Sequence, residues 1–85
     1  MIPDEYVRPN KTLFLPDLPS DANEESLTKI FERYPGFKEV RYVGVRGLGF
    51  VEFENEQFAI AAKESTANMP IGAEGRPMKV AYQRQ

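Results

Sequence analysis

The segment that most restricts the fold is residues 45–53, VRGLGFVEF, which combines β-prone residues with two glycines. Successive side chains of a β-strand point to opposite faces of its sheet. One face of this strand then carries Arg46, Leu48, Phe50 and Glu52. The other carries Gly47, Gly49, Val51 and Phe53, a set that fits under helices because glycine allows close approach. If helices cover the second face, Leu48 and Phe50 must lie on the open one.

The rest of the 85-residue chain predicts one small domain. Two prolines and the lack of any period predict a leader or linker at residues 1–10, with the domain at 11–85. Short apolar or alternating segments predict four strands, at residues 12–15, 37–43, 47–54 and 78–83. A tight turn near Gly44 would join the second strand to the third. The segment PIGAEGRP is predicted to be a loop, with a brief hairpin as the alternative.

Two segments have the pattern of amphipathic helices. In the first, Leu27, Ile30, Phe31 and Tyr34 recur at helical spacing, Asn23 or Asp21 can cap the start, and the PG dipeptide ends it. The second, residues 55–69, starts at Asn55 and carries a narrow stripe of Ala59, Ala62, Thr66 and Met69. Phe58 and Ile60 lie off this stripe; packing at the sheet margin is expected, with a protein-binding patch as the alternative.

The order β-α-β-β-α-β predicts a ferredoxin-like α+β sandwich, a four-stranded antiparallel sheet backed by two helices.

The same alternation applies to the first predicted strand. Leu13 and Leu15 would face the core, which turns Phe14 outward. In this topology the first and third strands are central neighbours, so Phe14 and Phe50 should lie side by side. Two aromatic rings on an open sheet, with Arg46 at their edge, would form a stacking surface for flat ligands.

At this point the residues resemble a known family. RGLGFVEF resembles the octamer K/R-G-F/Y-G/A-F-V-x-F/Y of the RNA-recognition motif (RRM) and departs from it only at Leu48. LFLPDL resembles the companion hexamer of that family. PNKTLFLPDLP, YPGFKEVR, FVEFENE and PMKVAY are similar to the second, C-terminal RRM of the spliceosomal snRNP A / B″ family, in which an aliphatic residue at the Leu48 position is usual.

The resemblance implies a nuclear RNA-binding domain whose partner is single-stranded RNA, either snRNA or pre-mRNA, with spliceosomal proteins as further candidates. Bases would stack on Phe14 and Phe50, while Leu48 could offer only apolar contact. The candidate cations are Arg41, Arg46, Lys79 and Arg84, and Gln83 is a candidate for base-edge contacts. The alternative for these polar residues is an ordinary solvated surface, with Glu39 and Glu52 close by.

Composition restricts the function further. The chain has no Cys and no His, and it carries no evident paired acid–base site, nucleotide loop or metal cluster, so we expect neither an enzyme nor a cofactor. No apolar run is long enough to span a membrane. The net charge of −2 argues against an indiscriminate polyanion binder. This charge, Leu48 and the short turn VGVRG favour the rival interpretation, an RRM that binds protein partners and whose RNA binding is weak or vestigial.

Overall fold

Two central strands, β1 (Thr12–Leu15) and β3 (Leu48–Phe53), organise the sheet of the computed structural model, which describes residues 8–84. β2 (Phe37–Val43) pairs with β3 on one side, and β6 (Ala81–Tyr82) pairs with β1 on the other. The strand order is β2-β3-β1-β6, and all three pairings are antiparallel. The predicted ferredoxin-like fold class is therefore confirmed. The predicted leader lies mostly outside the described residues.

Two helices, α1 (Glu24–Phe31) and α2 (Glu56–Thr66), cover one face of the sheet. Asn23 caps α1: its side-chain oxygen accepts from the backbone N–H of Ser26 at 2.8 Å. Asn55 caps α2 in the same way, through the N–H of Phe58 at 3.0 Å. α2 ends earlier than predicted, because Ala67 already has a non-helical ψ of 130° and Asn68 follows with a positive φ of 66°. None of the helices within residues 8–84 is long and apolar enough to cross a membrane.

The core lies between the helices and the sheet. Alternation along β1 and β3 is as predicted, with Leu13, Leu15, Val51 and Phe53 buried. The predicted α2 stripe also packs inward: Ala59, Ala62 and Thr66 are fully buried, and Met69 is half-buried. The off-stripe residue Phe58 packs against this core, which agrees with the expectation of ordinary packing. The largest buried side chains are those of Phe31, Phe53, Leu13, Leu15, Leu27 and Met78.

Gly49 allows β3 to approach α1 closely, as the sequence predicts. A Cβ atom at this position would lie 3.1 Å from Cδ1 of Leu18 and 3.3 Å from Cδ1 of both Leu15 and Leu27. Gly47 has a different role, and the prediction that it lies in the strand is wrong. It closes the four-residue turn between β2 and β3 with φ of 66°, a conformation that favours glycine.

The alternative prediction for the loop before the last strand is confirmed. β4 (Pro70–Ile71) and β5 (Arg76–Pro77) form a short antiparallel hairpin. Asp21, the other candidate helix cap, instead accepts a 2.7 Å hydrogen bond from the N–H of Ala73 in this hairpin. The hairpin is thereby attached to the loop between β1 and α1.

The fourth strand of the sheet is shorter than the predicted range 78–83. Only Ala81 and Tyr82 pair with β1, opposite Phe14 and Leu13. Pro16 follows β1 and has no N–H to donate to a continuing ladder, which ends the pairing at this point. Met78 bonds elsewhere: its N–H donates to the carbonyl oxygen of Met69 at 2.8 Å.

Candidate nucleic-acid interface

The predicted aromatic pair is present on the face of the sheet opposite the helices. Phe14 and Phe50 are directly opposite each other in the β1–β3 register. Their ring centroids are 5.3 Å apart, and the ring planes are inclined by 30°. Both side chains are half-buried, while their strand neighbours Leu13, Leu15, Gly49 and Val51 are buried. We call the Phe14–Phe50 pair the stacking platform.

A cation and a small residue flank the stacking platform, at the positions of the two outer strands that pair with Phe50 and Phe14. We call such a set of paired residues across the sheet a row. Arg41 is the β2 partner of Phe50, and its guanidinium carbon lies 5.4 Å from the Phe50 ring centroid, within cation–π range. Arg41 is also 3.8 Å from Glu39, measured from Nε to Oε2. On the other side, Ala81 is the β6 partner of Phe14. Because alanine is small, its side chain cannot extend over the Phe14 ring from this edge.

One neighbouring row of the open face is apolar. Leu48 is half-buried and pairs in register with Val43, whose exposed fraction is 39%. Val45 follows in the turn and is completely exposed, at 100%. Leu48 therefore extends the stacking platform toward an apolar tip of the β2–β3 hairpin. The contribution of Val43 and Val45 could not be inferred from motif positions, because the motif covers only β1 and β3.

The row on the opposite side of the stacking platform is polar. Glu52 lies two residues beyond Phe50 and is opposite both Thr12 in β1 and Glu39 in β2. Gln83 lies beside Thr12, since its backbone N–H donates to the Thr12 carbonyl oxygen at 2.9 Å. The side-chain amide of Asn10 in turn donates to the carbonyl oxygen of Gln83 at 2.9 Å. Gln83 is thus held at the edge of the face where a base-contacting residue was predicted.

Two lysines that the sequence did not single out reach this polar row. Lys11 Nζ is 3.8 Å and Lys38 Nζ is 3.7 Å from the same oxygen, Oε2 of Glu52. A register shift between Phe37 and Glu39 marks a bulge at Lys38. The bulge lets both Phe37 and Val40 pack toward the core although they are three residues apart. No sequence signal indicated this change of face.

The other predicted cations occupy three different settings. Lys79 lies just before β6, with its Nζ 3.9 Å from Oδ2 of Asp17. Arg84 is exposed and follows Gln83. Arg46, which strand alternation placed on the same face as Leu48 and Phe50, lies instead in the exposed turn, where its N–H donates to the Val43 carbonyl oxygen at 3.1 Å. The reason is that the turn takes four residues, 44–47, before pairing begins at Leu48.

The site has the chemistry of a binding surface. It offers two ring faces, cations partnered by carboxylates, and hydrogen-bonding groups along one side. Across residues 8–84, no cluster of three or more His, Cys, Asp or Glu side chains could hold a metal ion.

The fold and this face define a class of protein: small α+β domains that present paired aromatic rings on an open antiparallel sheet. Residues 13–75 match the family model of the RNA recognition motif. The chain belongs to the RNA recognition motif (RRM) family.

Individual proteins resemble the chain over most of its length. It is 40% identical to U1 small nuclear ribonucleoprotein usp102 of Schizosaccharomyces pombe over 99% of the chain and 33% of that protein. It is 47% identical to U1 small nuclear ribonucleoprotein A of Drosophila melanogaster over 74% of the chain and 30% of that protein. The chain thus spans about a third of the length of these relatives. Among solved structures, the MEC-8 C-terminal RRM domain bound to AGCACA is 26% identical, with a TM-score of 0.76 over 92% of this chain and 95% of the other.

Proposed function

We propose that this domain binds single-stranded RNA on its open sheet face, as part of a spliceosomal snRNP protein. The observation that carries the proposal is the stacking platform, two rings 5.3 Å apart that face away from the helices. Single-stranded bases stack on aromatic side chains, and each such contact contributes about 1–3 kcal/mol by alanine substitution. The bases of two successive nucleotides would occupy Phe14 and Phe50.

The surrounding groups would hold the strand around these bases. Arg41 lies beside Phe50 and would exchange its ion pair with Glu39 for a phosphate next to the base on that ring. Lys79 would act at the β6 side, and Arg84 and Gln83 at the end of the strand. Leu48 gives an apolar contact without a ring face. Arg46 would reach the RNA only from the β2–β3 turn.

Similarity to U1 small nuclear ribonucleoprotein usp102 and U1 small nuclear ribonucleoprotein A supports the placement in a spliceosomal particle. A nuclear location follows from that placement, with snRNA or pre-mRNA as the ligand and spliceosomal proteins as neighbours. The solved RRM bound to AGCACA supports a short sequence of nucleic-acid bases as the ligand class. We propose a binding module and not an enzyme, without a cofactor and without a membrane partner.

One observation favours a second function, the binding of a protein partner. Val45 is fully exposed at the β2–β3 turn, next to Val43 and Leu48. Exposed apolar groups of this kind occur at protein interfaces. In that case the hairpin tip would be the contact surface, and RNA binding would be weak or vestigial.

An NMR titration with short single-stranded RNAs tests the proposal. Amide shifts should map to residues around Phe14 and Phe50, and Phe14→Ala or Phe50→Ala should each weaken binding about 5–150-fold. Both variants should stay folded, because neither ring is in the core. Ile60→Ala, on the helical side, is the matched control and should bind like the unmodified domain. Shifts confined to Val43 and Val45, or wild-type affinity in both phenylalanine variants, would contradict RNA stacking on this face.

A further inference from the structure

Glu52 is an acidic residue in an unexpected place, next to the stacking platform. It follows Phe50 by two residues on the same face of β3, a spacing of about 6.6–6.8 Å along a strand. Its β1 neighbour is Thr12, two residues before Phe14. A base stacked on Phe50 would therefore have one of its edges beside the Glu52 carboxylate.

Two lysines form ion pairs with this carboxylate. The ammonium groups of Lys11 and Lys38 lie 3.8 Å and 3.7 Å from Oε2. Both contacts use the same oxygen, and a carboxylate has about four acceptor positions. Oε1 therefore retains the capacity to accept a hydrogen bond from a ligand. The side chain is partly accessible, with an exposed fraction of 27%.

The two lysines also offset the repulsion that an acidic side chain would exert on the phosphates of RNA. A lone carboxylate would repel the phosphates of the strand, but Glu52 with Lys11 and Lys38 carries a net charge of +1. The trio can approach a polyanion while still presenting a carboxylate oxygen. The arrangement thus combines attraction for the backbone with a specific acceptor for a base.

An ionised carboxylate can only accept hydrogen bonds, so it discriminates between bases. Cytosine, adenine and guanine carry an exocyclic amino group, whereas uracil presents two carbonyl oxygens and one ring N–H. Glu and Asp side chains accept from the cytosine N4 amino group in nucleic-acid complexes. A uracil carbonyl placed against Glu52 would instead meet another acceptor, and the uracil ring N–H, the one donor on that edge, lies between two carbonyl oxygens that the carboxylate would repel.

We infer that Glu52 is a specificity-determining residue, which accepts a hydrogen bond from the amino group of the base stacked on Phe50. The domain should then prefer the amino-bearing bases cytosine, adenine and guanine to uracil at this position. This inference rests on the proposed RNA-binding function of the same face. It assigns the polar row beside the stacking platform to base recognition.

The experiment compares the affinity of the domain for short oligocytidylate, oligoadenylate and oligouridylate. We expect the wild type to bind oligocytidylate or oligoadenylate about tenfold more tightly than oligouridylate, the effect of one charge-assisted hydrogen bond. Glu52→Gln should reduce this ratio to near one, because the glutamine amide can also donate to a uracil carbonyl. Glu39→Gln is the matched control: it removes the same charge from the adjacent position of the same face. It should tighten binding to all three oligonucleotides and leave their ratio unchanged.

Two results would overturn the inference while leaving the proposed function intact. One is equal affinity of the wild type for the three oligonucleotides, together with loss of binding in Phe50→Ala. The other is an equal increase in affinity for all three oligonucleotides in Glu52→Gln, of the same size as in Glu39→Gln. That result would mean that Glu52 only repels the RNA backbone. Absence of binding by the wild type to every oligonucleotide would overturn the proposed function and this inference together.

Discussion

The dependence of RNA binding on salt should be shallow, because the cations around the stacking platform are already paired with acids. Four cations with carboxylate partners lie on or beside the face: Lys11, Lys38, Arg41 and Lys79. Three carboxylates partner them, those of Glu52, Glu39 and Asp17. On single strands, log K falls by about 0.7 per unit of log salt for each phosphate neutralised. These four cations together would give a slope of about −3, and their excess of one over the three acids would give about −0.7. Arg46 and Arg84, if both bind phosphate, would add up to about −1.4.

We therefore expect micromolar or weaker binding and a slope between about −1 and −3. The assay is fluorescence anisotropy of a labelled oligonucleotide at salt concentrations from about 50 to 200 mM. Glu39→Gln releases Arg41 from its ion pair, so the slope should steepen by up to about 0.7. Glu25→Gln is the matched control, since it breaks a similar exposed pair, with Lys29 on α1, away from the sheet.

Three outcomes would refute this reasoning. A slope near −6 would require roughly eight or nine phosphate contacts, more than the identified cations can make. A slope of zero would mean that no phosphate is bound at all. An equal effect of Glu25→Gln and Glu39→Gln would show that only the net charge of the domain matters, and not the pairing of Arg41.

Further substitutions test the stacking platform and the core. Leu48→Phe should tighten binding to single-stranded RNA several-fold, because it adds a ring on the same face as Phe50; unchanged affinity in a titration would count against a working platform. Gly49→Ala should destabilise the domain by about 1–3 kcal/mol, because its Cβ would lie 3.1 Å from Leu18 and overpack the core. A thermal melt checks this, and an unchanged midpoint would disprove the tight packing. Burial, and then the charge of Glu64, raise the pKa of Tyr82 above its usual value of 10.0. The unfolded state then loses this proton first as pH rises, so the free energy of unfolding should be level below about pH 10 and fall above it. Tyr82→Phe should lessen that fall in denaturant titrations, and an identical fall in both proteins would contradict the raised pKa.

The sequence predicted the stacking platform because period-two alternation is a local property of a strand. Once Leu13 and Val51 face the core, Phe14 and Phe50 must face away from it, and the topology makes their strands neighbours. The platform therefore followed from residues 12–15 and 47–54, once the order of all six predicted strands and helices had indicated the fold class.

What the sequence could not predict depends on contacts between distant segments. Arg46 and Gly47 fit a strand pattern, yet the turn geometry removes both from β3. The last strand starts later than predicted, because the residues before Ala81 would pair near Pro16, which cannot donate a hydrogen bond. Pro16 lies some sixty residues earlier in the chain. The bulge at Lys38 depends on how β2 registers against β3. Helix α1 shows the same limit, since choosing Asn23 over Asp21 as its cap required knowing that Asp21 binds Ala73.

The strand order β2-β3-β1-β6 has a consequence for the entropy of binding. Edge elements with few hydrogen bonds open locally at low free-energy cost, whereas central strands exchange their amide hydrogens only in larger opening events. β6 has two paired residues, so its amides should exchange quickly, while those of β1 and β3 are protected. The rings of Phe14 and Phe50 are therefore held in place before any ligand arrives, even when the β6 edge has opened. A strand of bases then meets a preorganised surface, and little of the binding free energy is lost in ordering the protein.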